Sequence, residues 1–221
     1  MQEQREVLGG IPVRLYDPGG ASGLLLVGHG GGHSKDGERF VRLSRLYAHE
    51  LGLAVACIDA VDHGERRQAA GGNDVPPGWH SRAIPQMVTD WQQVVDELGS
   101  LGPAIAYVGF SMGAIFGMAT VASIPSISAA VFVAGGIPTG GWVDDPALEP
   151  MLLGAAGRLS GAHVLMLNKD DDDLFGADEV RRLFAAVSAK SKSLRFFPGP
   201  HDEWQPELID GSLRFLSEQV G

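Results

Sequence analysis

Short, strongly apolar runs alternate along this chain with longer stretches in which apolar side chains recur every three or four positions. The first pattern suits strands buried on both faces, and the second suits helices that cover them. The runs 24–28, 54–58, 104–108, 129–134 and 164–167 are read as buried strands. Val7–Tyr16 is read as an N-terminal hairpin and Leu194–Phe197 as a last strand. Helical spacing joins Phe40, Leu43, Tyr47 and Leu51, and again Met87, Trp91, Val94 and Leu98. Gly52 and Gly99 follow these two stretches, as expected where a helix ends in a left-handed residue. Val180, Leu183, Phe184 and Val187 mark a further helix, and Pro206 opens a C-terminal one through Leu208, Ile209, Leu213 and Leu216. This alternation predicts an α/β fold with a mostly parallel sheet and helices on both faces, formed by residues 1–221 as a single domain.

Two segments, Asp62–Ala83 and Gly135–Pro150, are rich in glycine and proline and follow strand ends. In an open α/β sheet such loops surround the ligand, so they are expected to wall a pocket, with Trp79 and Trp142 as apolar sides.

Composition narrows the classes of function. Hydrophobic residues at 44% and charged residues at 20% describe a folding globular chain rather than a disordered one. A formal charge of −10 without a basic tract argues against nucleic acid as a partner. Cys57 stands alone inside an apolar run, so no disulfide forms within the chain and a buried thiol is expected. The N-terminus is polar and no apolar run approaches the ~18 residues of a membrane span. A cytoplasmic protein, monomeric or homodimeric, is the expectation.

Chemistry enters at Gly109-Phe110-Ser111-Met112-Gly113, which lies between a strand and a helix-compatible stretch, Ala114–Ala122. With 31 glycines and 15 serines in 221 residues, about 0.3 such G-x-S-x-G matches arise by chance, so the surrounding residues must carry the argument. A serine hydroxyl needs a base within hydrogen-bond reach, and the base needs a group to orient it. Only His163 and His201 follow Ser111. His163 opens an apolar run and reads as a strand-start residue, whereas His201 lies in the turn-rich Pro198-Gly199-Pro200-His201-Asp202. The acid is expected just beyond the run 164–167, where Asp170 to Asp173 stand together; spacing favours Asp172, with Asp171 a close second. Backbone amides of Met112 and of Gly31, in His29-Gly30-Gly31-Gly32, are placed to receive an oxyanion.

Together, GHGGG after one strand, Asp59 with His63-Gly64 after the next, GFSMG, an aspartate past a later strand and a late Pro-Gly-x-His loop resemble the α/β-hydrolase superfamily over nearly the whole chain. Within it, the small size is similar to the carboxylesterase and dienelactone-hydrolase-like branches. The resemblance implies a sheet of about eight strands and acyl-bond hydrolysis through an acyl-enzyme, with Ser111, Asp172 and His201 as catalytic residues and Gly31 and Met112 as oxyanion donors. It also implies a structural role for the Asp59–His63 stretch. Two positions depart from the pattern. Lys169 stands where many relatives carry glycine before the acid, and serine stands where dienelactone hydrolases proper have cysteine.

The resulting expectation is a carboxylic ester hydrolase acting on small or short-chain substrates, with Phe110, Trp79 and Trp142 lining the pocket and no cofactor. His29, His33, Asp59, Asp62 and His63 lack the spacing of a metal centre, so no metal is expected. Thioesterase, lactonase, amidase and acyltransferase activities use the same triad. A catalytically silent ligand-binding member of the fold is the alternative from another class.

Overall fold

The computed structural model describes residues 1–67 and 76–220. Eight strands of the described residues form one sheet: β1 (Gln2–Leu8), β2 (Ile11–Asp17), β3 (Gly23–Gly28), β4 (Ala54–Ile58), β5 (Ala104–Phe110), β6 (Ile127–Val133), β7 (His163–Lys169) and β8 (Ser191–Phe197). Their order is β1-β2-β4-β3-β5-β6-β7-β8. The hairpin β1–β2 attaches antiparallel to β4, and the strands from β4 to β8 run parallel. The N-terminal hairpin and the mostly parallel sheet of the sequence reading are therefore present. Every residue of β3 and β4 is buried, which explains their unbroken apolar runs, while the edge strands β1 and β8 are largely exposed.

Among the described residues, six α-helices cover the sheet: α1 (Glu38–Leu51), α2 (Trp79–Leu98), α3 (Met112–Ser123), α4 (Leu148–Ala156), α5 (Ala177–Ala186) and α6 (Pro206–Val220). Helices α1 and α6 pack on one face, where Phe40, Leu43 and Tyr47 meet Leu208 and Leu216 over Val27, Val108 and Val131. The other helices enclose the second core around Trp91, Tyr107, Phe116 and Phe132. Helix α3 carries no charged residue and is buried on all sides from Met112 to Val121, as a helix at the centre of such a layer must be.

Several expectations need correction. Helix α2 begins at Trp79 and runs through Pro85, so Trp79 to Ala83 are helical rather than loop. Of the segment Asp62–Ala83, residues 68–75 lie outside the described residues. Helix α4 occupies the end of the segment read as the loop Gly135–Pro150. Gly52 ends α1 at φ 65°, in the left-handed region, but Gly99 has φ −63° because the chain continues into a 3-10 turn instead of reversing. Cys57 is a free, buried thiol, and burial pushes its ionisation upward. Among the described residues, no helix is long and apolar enough to cross a membrane.

Candidate active site

The C-terminal ends of β3, β5, β6 and β7 converge on Ser111. It forms the sharp corner between β5 and α3, with φ 52° and ψ −113°, a sparsely populated conformation that costs an L-residue on the order of 1–3 kcal/mol. The corner is held by hydrogen bonds from the Ser111 amide to the Val133 carbonyl at 2.8 Å and from the Ala114 amide to the Ser111 carbonyl at 2.8 Å. Close approach of backbones dictates the flanking glycines. A methyl group at Gly113 would collide with the Gly28 carbonyl, and one at Gly109 with the Gly113 carbonyl. Both obstacles are backbone, which cannot rotate aside. Gly113→Ala is therefore expected to cost more than about 3 kcal/mol and to lower the melting temperature by about 10 °C. At Gly31 an added methyl meets nothing within 4 Å, so Gly31→Ala is expected to melt within about 3 °C of wild type. Thermal unfolding of the two variants compares them directly.

Ser111 Oγ lies 2.9 Å from His201 Nε2, and His201 Nδ1 lies 2.8 Å from Asp172 Oδ2. An ionised carboxylate only accepts, so Nδ1 carries the imidazole proton and Nε2 is left to accept from the serine hydroxyl. The other Asp172 oxygen accepts the amides of Leu174 at 2.9 Å and Phe175 at 3.0 Å. Of the four consecutive aspartates, Asp172 alone is buried; Asp170, Asp171 and Asp173 are exposed. The loop turns one carboxylate inward and leaves three in water, which relieves their mutual repulsion. The His201 loop is fastened at the Pro198 carbonyl, which accepts from Lys169 Nζ at 3.1 Å and Gln205 Nε2 at 2.8 Å. The lysine that departs from the usual glycine thus supports the histidine loop. His163 begins β7 far from this arrangement and bonds Ser191 Oγ.

The glycine loop after β3 is held from below. His29 Nδ1–H donates to the Gly30 carbonyl at 2.8 Å, and its Nε2 accepts the Ala60 amide at 2.9 Å, so the ring is neutral with a fixed tautomer. Burial lowers its pKa to about 4. A histidine whose folded pKa falls below its unfolded value loses stability as pH falls, here from about 6.5 towards 4. The loss attributable to His29 is expected to reach about 3 kcal/mol at pH 4, read as a steeper fall in urea midpoint for wild type than for His29→Gln.

Beside it, the buried Lys35 Nζ contacts Asp59 Oδ2 at 3.1 Å, Glu65 Oε1 at 3.0 Å and Asp36 Oδ2 at 2.8 Å, while Asp59 Oδ1 accepts the Lys35 amide. Asp59 thus anchors the segment that follows the glycine loop. The sequence reading passed over Lys35, because a lysine in a glycine-rich loop looks solvated until its partners are brought in from β4. Among the described residues, no group of three or more His, Cys, Asp or Glu side chains is arranged to hold a metal ion.

A cavity of about 140 Å³ opens at Ser111 and His201. Phe110, Val133, Ala134, Trp204, Leu208 and Ile209 supply its apolar walls, and Gly30, Gly31, His33 and Arg39 its other side. Phe110 and Gly31 both line this cavity. Met112, directly after Ser111, begins α3. Trp79 and Trp142 do not line this cavity. Trp79 turns inward on the first turn of α2 and bonds Asp62, whereas Trp142 is 41% exposed with its Nε1 on the Leu174 carbonyl. Trp204, Leu208, Ile209 and Arg39 were missed; the first three surround the start of α6, where an amphipathic face next to His201 was the available signal.

Comparison with known proteins bears on the fold. A family model described as "Alpha/beta hydrolase family" matches residues 24–214. A cold-adapted esterase from an Arctic intertidal metagenomic library superposes with a TM-score of 0.83 at 24% identity, covering 99% of this chain and 93% of the other. TT1662 from Thermus thermophilus gives 0.82 at 20% identity, with 99% and 98% covered. The Pyrococcus furiosus esterase Pf2001 gives 0.75 at 16% identity, with 100% and 93% covered. These likenesses establish a shared fold. No match was found among curated proteins.

Proposed function

As the chain belongs to the alpha/beta hydrolase family, we propose that it is a serine hydrolase cleaving carboxylic esters of small or short-chain substrates through an acyl-enzyme. The observation that carries this reading is the unbroken chain of hydrogen bonds from Ser111 Oγ through His201 to Asp172, opening into an apolar cavity.

In the first half-reaction, Ser111 Oγ attacks the ester carbonyl carbon while its proton passes to His201 Nε2. Asp172 stabilises the imidazolium that results. The carbonyl oxygen becomes an oxyanion received by the Gly31 and Met112 amides, each such donor contributing about 2.7–4 kcal/mol. Collapse of the tetrahedral intermediate breaks the bond to the alcohol oxygen, which leaves with the proton from Nε2. In the second half-reaction, water gives a proton to the same nitrogen and attacks the acyl-enzyme. Return of that proton to Ser111 Oγ releases the acid. The cavity volume suits an acyl or alcohol group of a few carbons.

The test uses the wild-type protein with a fluorophosphonate probe and a panel of short ester, thioester, lactone and amide substrates. Labelling at Ser111 with the highest kcat/KM on esters is the expected result. Folded protein that neither labels nor turns over any member of the panel would favour a ligand-binding role, and faster turnover of another acyl bond would move the activity to that bond.

A further inference from the structure

One cation lining the cavity is in none of the ion pairs among the described residues and is outside the hydrogen-bonded chain at Ser111. Arg39, on the first turn of α1, lines the cavity together with Ser111 and His201. Its helix neighbours Arg42 and Arg45 pair with Glu38 and Glu3. Among the described residues Arg39 has no carboxylate within ion-pair distance, although Asp202 and Glu203 line the same cavity. The guanidinium lies over the Trp204 ring, 4.4 Å from its centroid, and Trp204 stacks on Phe110 with centroids 4.7 Å apart and planes at 21°. A guanidinium held over an aromatic ring keeps N–H donors available, and its planar fork can receive a carboxylate through two parallel hydrogen bonds. A lysine, which presents a single charged point on a flexible stem, would reproduce this only in part.

The remaining charges give the cavity a direction. Burial, with Arg39 as the second cause, lowers the pKa of the neighbouring His33, so the positive charge on this wall is that of Arg39. Asp202 and Glu203 directly follow His201 and are exposed. An anion is thus disfavoured beside Asp202 and Glu203, which follow the base, and favoured beside Arg39 on α1. A substrate negative at its far end, with a neutral ester at the other, fits this polarity.

We propose that Arg39 receives a carboxylate at the end of the substrate remote from the scissile bond, so that half-esters of short dicarboxylic acids are preferred over neutral esters of the same shape. The inference rests on the serine-hydrolase reading for which bond is cleaved, but the anion site is independent of it.

The kinetic test compares kcat/KM for ethyl hydrogen succinate, its neutral near-isostere ethyl levulinate and the ethyl ester of γ-(trimethylammonio)butyric acid, in wild type, Arg39→Gln and Arg39→Lys. In wild type the succinate half-ester is expected to exceed the neutral ester by about tenfold, with the cationic ester slowest. Arg39→Gln should bring the anionic-to-neutral ratio close to one, Arg39→Lys should leave part of it, and about 0.5 M salt should reduce it in wild type. Equal rates in wild type, a preference for the neutral or cationic ester, or a ratio unchanged in Arg39→Gln would overturn the proposal.

Calorimetric titration with succinate itself separates the two readings. Binding that weakens about tenfold in Arg39→Gln, in a protein that turns over no ester, keeps the anion site and removes the esterase reading. Ester turnover without any Arg39-dependent succinate binding removes the anion site alone.

Discussion

Ser111→Ala is expected to lower kcat by a factor on the order of 10⁶ and to abolish fluorophosphonate labelling, while the protein remains folded. A loss of that size corresponds to about 8 kcal/mol of transition-state stabilisation, more than any contact in the cavity walls can supply. The folded state should barely notice the change, for a local reason. The corner conformation at φ 52° is costly because of the β-carbon, which alanine shares with serine. The amide bond to Val133 and the carbonyl contacts into α3 are backbone and survive the substitution. Circular dichroism and thermal melting should therefore match wild type to within a few degrees, and kcat within tenfold of wild type would remove Ser111 from the reaction.

The second large effect concerns the four aspartates. Asp172→Asn is expected to reduce kcat by about 10⁴-fold, and Asp171→Asn by less than about threefold. An asparagine at 172 has one acceptor oxygen where the carboxylate has two. If that oxygen keeps the Leu174 and Phe175 amides, the NH₂ group faces His201 Nδ1 and donates to it. The ring proton is then forced onto Nε2, the atom that must accept from Ser111. Turning the amide around restores the tautomer but strips two backbone donors of their acceptor, which costs roughly 1–3 kcal/mol for each buried group. Asp171 is exposed and has no part in these bonds. Reversal of the two effects in a kcat comparison, with position 171 critical and 172 indifferent, would reassign the acid.

The two variants also mark where local sequence ceases to be informative. Position relative to β7 narrowed the acid to a run of adjacent aspartates, and spacing favoured Asp172 over Asp171. The inward turn of Asp172 is made by the amides of Leu174 and Phe175 and by a histidine that arrives from beyond β8. Four identical side chains differ only in position, so spacing could rank them but could not show which one turns inward. Gly99 makes a similar point on a smaller scale. A glycine after an amphipathic stretch can end a helix in the left-handed region, as Gly52 does, or pass it into a tighter turn. The residue type permits both.

Other features were legible because their causes are local. Runs such as Leu24–Val27 and Ala54–Ile58 contain no polar face, so they must be strands buried on both sides. The spacing of Phe40, Leu43 and Tyr47 requires one covered helix face. The glycines around Ser111 are required by the bend itself. Trp79 misled because the preceding glycines and prolines obscure the start of α2, although its side chain already follows the helical period of Ala83, Ile84 and Met87.

The sequence alone thus determined the mostly parallel sheet and the sharp turn that carries a hydroxyl, and it offered a candidate acid and a candidate histidine after that turn, because periodicity and backbone sterics act over a few neighbouring residues. The tertiary structure decided which aspartate turns inward, that Lys35 is buried among carboxylates, and that Arg39, Trp204 and α6 rather than Trp79 and Trp142 surround the cavity. Those outcomes depend on strand order and on groups brought together from distant parts of the chain. The energy of a charge or a ring is set by what surrounds it, and that surrounding exists only once the sheet has assembled.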